Sequence, residues 1–175
     1  MPGPGVQAAG VPGADRAEVC VDIHSPDDDV AAELIRAYFV DIVGRYHGRE
    51  ADAAEVDAAI SDAPSADLQA PTGVFVVADA CGSPVGCGGL RLIDAVTGEL
   101  TRIYVTPAAR GVGVGARIVH RLEELAALTG LTRVRLDTRS DLVEARRLYA
   151  RLGYVEVARH NDDPYAEHWF AKTLP

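Results

Sequence analysis

Positive charge is what this chain has least of relative to its acids: 17 lysines and arginines stand against 26 aspartates and glutamates, a net charge of −9. General nucleic-acid binding and attraction to an anionic membrane both need a basic surface, so neither is expected. No apolar run reaches the length of a membrane span, and the N-terminus lacks a basic end followed by an apolar core. A cytoplasmic protein is the expectation. Cysteine is scarce too: Cys20, Cys81 and Cys87 are odd in number and not spaced as paired zinc ligands. They read as free, buried or partly buried thiols, and no metal site is expected. Internal repeats are absent.

What is present suffices for one core, since 48% of the 175 residues are hydrophobic. Residues 1–17 are rich in Gly, Pro and Ala without periodicity and read as a flexible tail, leaving 18–175 as a single domain. Val19, Val21 and Ile23 alternate with polar neighbours, a first strand. Ser25-Pro26-Asp27-Asp28 offers an N-cap and an N1 proline for a long helix with Val30, Leu34, Tyr38 and Ile42 on one stripe. A second helix runs from about Glu50 to Ile60. Val74–Ala78, a turn at Cys81–Pro84, and Val85–Ile93 form a hairpin, and the strand Glu99–Val105 follows it. Later come an amphipathic helix through Ile118 and Leu122 stopped by Gly130, a strand at Val134–Asp137, and a helix through Ala145 and Leu152 ended by Gly153. Strands from Tyr154 and His168 finish the chain.

The most informative stretch is Val105-Thr106-Pro107-Ala108-Ala109-Arg110-Gly111-Val112-Gly113-Val114-Gly115-Ala116, where a strand runs into glycines and a helix begins. Glycines at alternate positions let backbone N–H groups turn toward a ligand, and the free amides of the following helix add partial positive charge. A pyrophosphate suits such a cradle. A P-loop is excluded because no Gly-Lys-Ser/Thr follows. The dinucleotide pattern is formally met by Gly111-x-Gly113-x-x-Ala116, with Asp137 about 20 residues on for a ribose hydroxyl. Against it, Glu99–Val105 is polar on one face, and Thr106 to Arg110 intervene before the first glycine.

Arg110-Gly111-Val112-Gly113-Val114-Gly115, after a strand ending in Val105, resembles the acetyl-CoA loop of the GNAT superfamily of N-acetyltransferases. Ala145-Arg146-Arg147-Leu148-Tyr149-Ala150-Arg151-Leu152-Gly153-Tyr154 resembles that family's Ala-x-x-Leu-Tyr-x-x-x-Gly-Phe/Tyr segment. The resemblance covers about Gly73 to Lys172. It implies an α/β (α+β) GNAT fold: a mixed, mostly antiparallel sheet of six or seven strands, splayed at the acetyl-CoA site, with helices on both faces.

It further implies an enzyme that moves acetyl from acetyl-CoA to an amine by direct attack. In this reading Ile103, Tyr104 and Val105 lie beside the thioester arm through their main chain, and Arg110, Gly111, Val112, Gly113, Val114, Gly115 and Ala116 hold the pyrophosphate. Glu99 matches a carboxylate position suited to a general base, and Tyr149 matches a tyrosine near the sulfur, suited to a general acid. Read as plain structure, Glu99 is a strand-end charge and Tyr149 a core ring beside Leu148 and Leu152. Tyr46, His47, Glu167 and His168 are further base candidates. One departure is Leu142, where many members carry an asparagine; its hydrogen bond to the cofactor is either missing here or supplied by Arg139, Ser140 or backbone. The acceptor is a small-molecule amine or a protein N-terminal or lysine amine, and a homodimer is compatible with the reading. Alternatives are a non-catalytic acyl-CoA sensing module and a dinucleotide-binding oxidoreductase.

Overall fold

The computed structural model describes residues 18–175; the expected tail at 1–17 lies outside the described residues. Strand β1 (Val19–His24) is followed by helices α1 (Asp29–His47) and α2 (Ala53–Asp62). Strands β2 (Gly73–Ala80), β3 (Ser83–Leu92) and β4 (Thr97–Val105) come next, then α3 (Val114–Leu128), β5 (Arg133–Thr138), α4 (Val143–Arg151), β6 (Val155–Glu156) and β7 (His168–Thr173). They form one seven-stranded sheet in the order β1-β2-β3-β4-β5-β7-β6, antiparallel at every pairing except β4 with β5. An open parallel sheet of the dinucleotide-binding kind is therefore ruled out.

Local chemistry accounts for most boundaries. The β2–β3 turn is two residues, Cys81 and Gly82, both at positive φ (54° and 84°), the geometry whose twist matches an antiparallel pair. Helix α2 opens on a capping box in which Asp52 accepts from the Glu55 N–H at 2.9 Å and Glu55 accepts from the Asp52 N–H at 3.0 Å. That box starts the helix at Ala53 rather than Glu50.

Helix α1 departs from expectation in two ways. Its N-cap is Asp28, not Ser25, and Pro26 sits in a preceding turn where Asp28 N–H donates to the Ser25 carbonyl. Its buried face is Ala31, Leu34, Ile35 and Phe39, while Val30 is exposed. A strict spacing of four drifts by about 40° per step around a helix of 3.6 residues per turn, so one row cannot keep facing a sheet.

Two cores flank the sheet. On the α3 and α4 face, Ile118, Val119, Leu122 and Ala126 pack against Val76, Leu100, Val134, Leu136 and Phe170. On the α1 and α2 face, Leu34, Phe39 and Val56 meet Phe75, Val77 and Cys87. All three cysteines are free; Cys87 is buried, whereas Cys20 and Cys81 are exposed. Among the described residues no helix is long and apolar enough to cross a membrane, and no group of His, Cys, Asp and Glu could hold a metal ion.

Candidate functional site

The sheet opens between β4 and β5. Those strands pair only at Thr97–Arg133, Gly98–Val134 and Glu99–Arg135; beyond that point β4 bonds only to β3, and β5 only to β7. A β-bulge helps to turn β4 away: the β3–β4 register shifts between Cys87 and Gly89, and Arg102 takes a φ of 57°. The bulge lets Leu100 and Ile103 both reach the α3-side core although two residues separate them. It also sends the Arg102 side chain to the other face, where the guanidinium lies over the rings of Phe39 and Tyr38 and donates to the Ala63 carbonyl at 2.6 Å.

The ladder decides which backbone groups face the gap. Thr106 N–H donates to the Val85 carbonyl at 2.9 Å, and Cys87 stands opposite Tyr104, so these are the bonded pairs. By antiparallel alternation, Ile103 and Val105 turn their N–H and carbonyl groups into the gap. The Tyr104 backbone does not: its groups are used against Cys87, which corrects the expectation that all three residues offer main chain there.

The glycine loop stands at the mouth of this gap. After a single 3-10 turn at Pro107–Ala109, Gly111 and Gly113 adopt φ values of 81° and 93°, and Gly113 is the N-cap of α3. A Cβ on either glycine would project into open space. The first helical bond back is from Arg117 N–H to the Gly113 carbonyl, leaving the amides of Val114, Gly115 and Ala116 without intrahelical partners. A Cβ on Gly115 would come 3.2 Å from Leu148 Cδ2, so glycine there lets α3 lean on α4. Arg110 folds inward: its Nε donates to the Val105 carbonyl at 3.0 Å and its Nη2 lies 3.4 Å from Asp41 on α1.

Tyr149 reaches the gap from α4, 6% exposed, its ring against Tyr154 and Phe170. Burial pushes its phenol well up, and Tyr38 and Asp137 across the gap add to that rise. Glu99 is the other proposed participant, and its carboxylate is already held. Arg135 Nε donates to one oxygen at 2.9 Å, and Arg91 Nη1 lies 3.5 Å from the other, while Arg91 also pairs with Asp67. We expect Glu99→Gln to destabilise the fold by about 1–3 kcal/mol, because the partly buried Arg135 guanidinium loses its counter-charge and Arg91 keeps only Asp67. Urea unfolding checks this; unchanged stability would make the network dispensable.

The other base candidates are engaged elsewhere. His47 lies 3.6 Å from Glu55, Tyr46 stacks edge-on with Tyr165, and Glu167 accepts from the Ser140 N–H, which holds its carboxyl below the usual range. His168 bridges Glu156 and Ser140. At the departure from the family pattern, Leu142 is the N-cap of α4, and Arg139 is bound to Asp141 and the Ile42 carbonyl.

Sequence reasoning missed the groups that α1, β5 and the segment before β7 bring to the gap: Tyr38, Asp137 and Asn161. Asn161 Nδ2 donates to Asp137 Oδ2 at 2.6 Å, and Trp169 Nε1 donates to Asn161 Oδ1 at 2.8 Å. The only signal in the sequence was an acid closing a strand at Asp137, which the dinucleotide pattern claimed.

Comparison with known proteins agrees with this architecture. The model of the acetyltransferase (GNAT) family matches residues 32–154. The IAA acetyltransferase of Azospirillum brasilense is 34% identical over 83 residues, 47% of this chain and 54% of that protein. The mycothiol acetyltransferase of Beutenbergia cavernae is 35% identical over 71 residues, 41% of this chain and 24% of that protein. The chain thus spans about half or less of the length of these two relatives. Among solved structures, a GNAT-family acetyltransferase from Staphylococcus aureus superposes with a TM-score of 0.72 at 15% identity, covering 90% of this chain and 100% of that one. The PaiA N-acetyltransferase from Thermoplasma acidophilum in complex with coenzyme A gives 0.69 at 16% identity, covering 89% and 99%. At those identities the likeness is one of fold.

Proposed function

The chain belongs to the GNAT family of acetyltransferases, and from that premise we propose that it moves an acetyl group from acetyl-CoA to a primary amine. One observation carries the reading. The glycine cradle and the break between β4 and β5 meet at Val105, so a ligand with a pyrophosphate and a long amide-bearing arm finds a seat for each part. The amides at the start of α3 suit the pyrophosphate, and the gap-facing backbone of Ile103 and Val105 suits the arm.

The chemistry then needs few groups. The amine attacks the thioester carbonyl, and the Val105 N–H stabilises the oxyanion that forms. Tyr149, kept protonated by its burial, gives a proton to the departing sulfur. Arg110 has a second role in this reading: leaving the Val105 carbonyl frees it to pair with the arm and brings a guanidinium toward the phosphates.

Thermal unfolding tests the donor. At a hundredfold excess over its dissociation constant, acetyl-CoA adds about 2.7 kcal/mol of stability, a rise of roughly 5–10 °C for a chain of this size. NAD+ produces no rise. A rise with NAD+ and none with CoA would end the reading. Thiol release from acetyl-CoA across a library of primary amines tests turnover, and binding without release for any amine would make the chain an acyl-CoA sensing module.

A further inference from the structure

Two carboxylates face the gap from the α1 side, and their surroundings differ sharply. Glu99 sits between two guanidiniums. Asp137 lies on β5 two residues beyond the last residue paired with β4, on the same face as Arg135. It accepts one hydrogen bond, from the neutral amide of Asn161, and no cation pairs with it among the described residues. The Trp169 indole donates to the Asn161 Oδ1 and so fixes that amide with its nitrogen toward Asp137 Oδ2, leaving Asp137 Oδ1 without a hydrogen bond among the described residues. A half-buried carboxylate without a cation is costly unless a ligand brings one.

We propose that Asp137, rather than Glu99, binds the ammonium of the acceptor and takes its proton. This rests on the acetyl-transfer reading. The acceptor arrives as R–NH3+, which supplies the missing cation, and passes one proton to Asp137 to become R–NH2. The free amine forms the C–N bond, and as the intermediate collapses the C–S bond breaks. Its electron pair leaves on sulfur, which takes the Tyr149 proton. The second proton lost by nitrogen restores Tyr149, and Asp137 returns its proton to solvent. The acceptor class is therefore a primary amine that is cationic in solution.

Several titratable groups face Asp137: Glu99 from β4, Tyr38 from α1, Tyr149 from α4, and His160 and Asp163 from the segment before β7. Burial raises its carboxyl first of all; the Asn161 hydrogen bond opposes this, Asp163 and Glu99 add to it, and His160 opposes it. The folded state thus holds this proton better than the unfolded chain does. The associated stability is complete below the ordinary value near 4 and is lost as pH rises through the folded value.

The test compares Asp137→Asn with Glu99→Gln, using acetyl-CoA with tyramine, putrescine and glucosamine 6-phosphate. Asp137→Asn should lower kcat/KM by about 10²–10⁴ at neutral pH and abolish the acidic limb of the pH–rate profile. Its Tm should equal the wild type's near pH 3 and exceed it at pH 7, while acetyl-CoA still raises it, which separates lost chemistry from lost folding. In the wild-type protein, the Asp137 carboxyl 13C resonance should titrate above the ordinary aspartate range and move when the amine is added. The limb persisting in Asp137→Asn and vanishing in Glu99→Gln overturns the proposal while leaving acetyl transfer intact, as does an ordinary carboxyl titration. A wild-type protein that releases no thiol with any amine overturns the acetyl-transfer reading and the proposal with it.

Discussion

Replacing Gly113 with valine is expected to weaken CoA binding at least about a hundredfold and to erase the thermal stabilisation by acetyl-CoA, in a protein that still folds. Gly113 caps α3 at a φ of 93°, and the direction in which a Cβ would point is open space over the cradle. A branched side chain both strains that backbone, by about 1–3 kcal/mol, and occupies the space a pyrophosphate needs. Strain alone is the competing explanation, and the molecule supplies a control. Gly130, just past the other end of α3, has a φ of 86° with equally open surroundings. Gly130→Val should bring similar strain and leave affinity unchanged. Calorimetric titration with CoA reads both variants; equal affinity for Gly113→Val and wild type would disconnect the loop from the ligand.

Tyr149→Phe should slow turnover by about 10–10³-fold while changing stability by less than about 1 kcal/mol. The ring contacts to Tyr154 and Phe170 survive the substitution, and only a hydroxyl with no hydrogen-bond partner among the described residues is lost. A packing role therefore predicts no change in rate, and an acid role a change in rate alone. The defect is partial because a thiol with a pKa near about 8.5 leaves to some extent without help. The raised phenol sharpens the prediction: Tyr149 stays protonated through neutral and mildly alkaline pH, so the defect should be constant across that range. Acetyl donors with a more acidic thiol should close the gap between variant and wild type. If the phenylalanine variant turns over like wild type while chemistry limits the rate, the sulfur finds its proton elsewhere.

The cradle was legible in the sequence because it is made of neighbouring residues. Gly111, Gly113 and the start of α3 are contiguous, and what they offer is backbone, so spacing and residue type suffice. The same holds for the motif ending in Tyr149 and Gly153, and for the β2–β3 turn. The mostly antiparallel sheet of six or seven strands and the two-sided placement of helices followed from the resemblance those segments carry, and the sheet agrees with it.

What the sequence could not decide is which charges meet. Glu99 read as a free carboxylate near the amine, yet its partners Arg91 and Arg135 come from strands on either side, separated from it by the hairpin loop in one direction and all of α3 in the other. Asp137 read as the end of a strand, and Tyr38 as one residue of a helical stripe. Whether a carboxylate is neutralised or left wanting a cation depends on the register of the β4–β5 pairing and on where that pairing stops. The bulge at Arg102 helps to end that pairing, and helices pack on opposite faces of the sheet around it. Local backbone conformation is encoded in a few adjacent residues and so determined the ligand cradle; the electrostatics of the gap arise between distant segments, and only the folded sheet decided them.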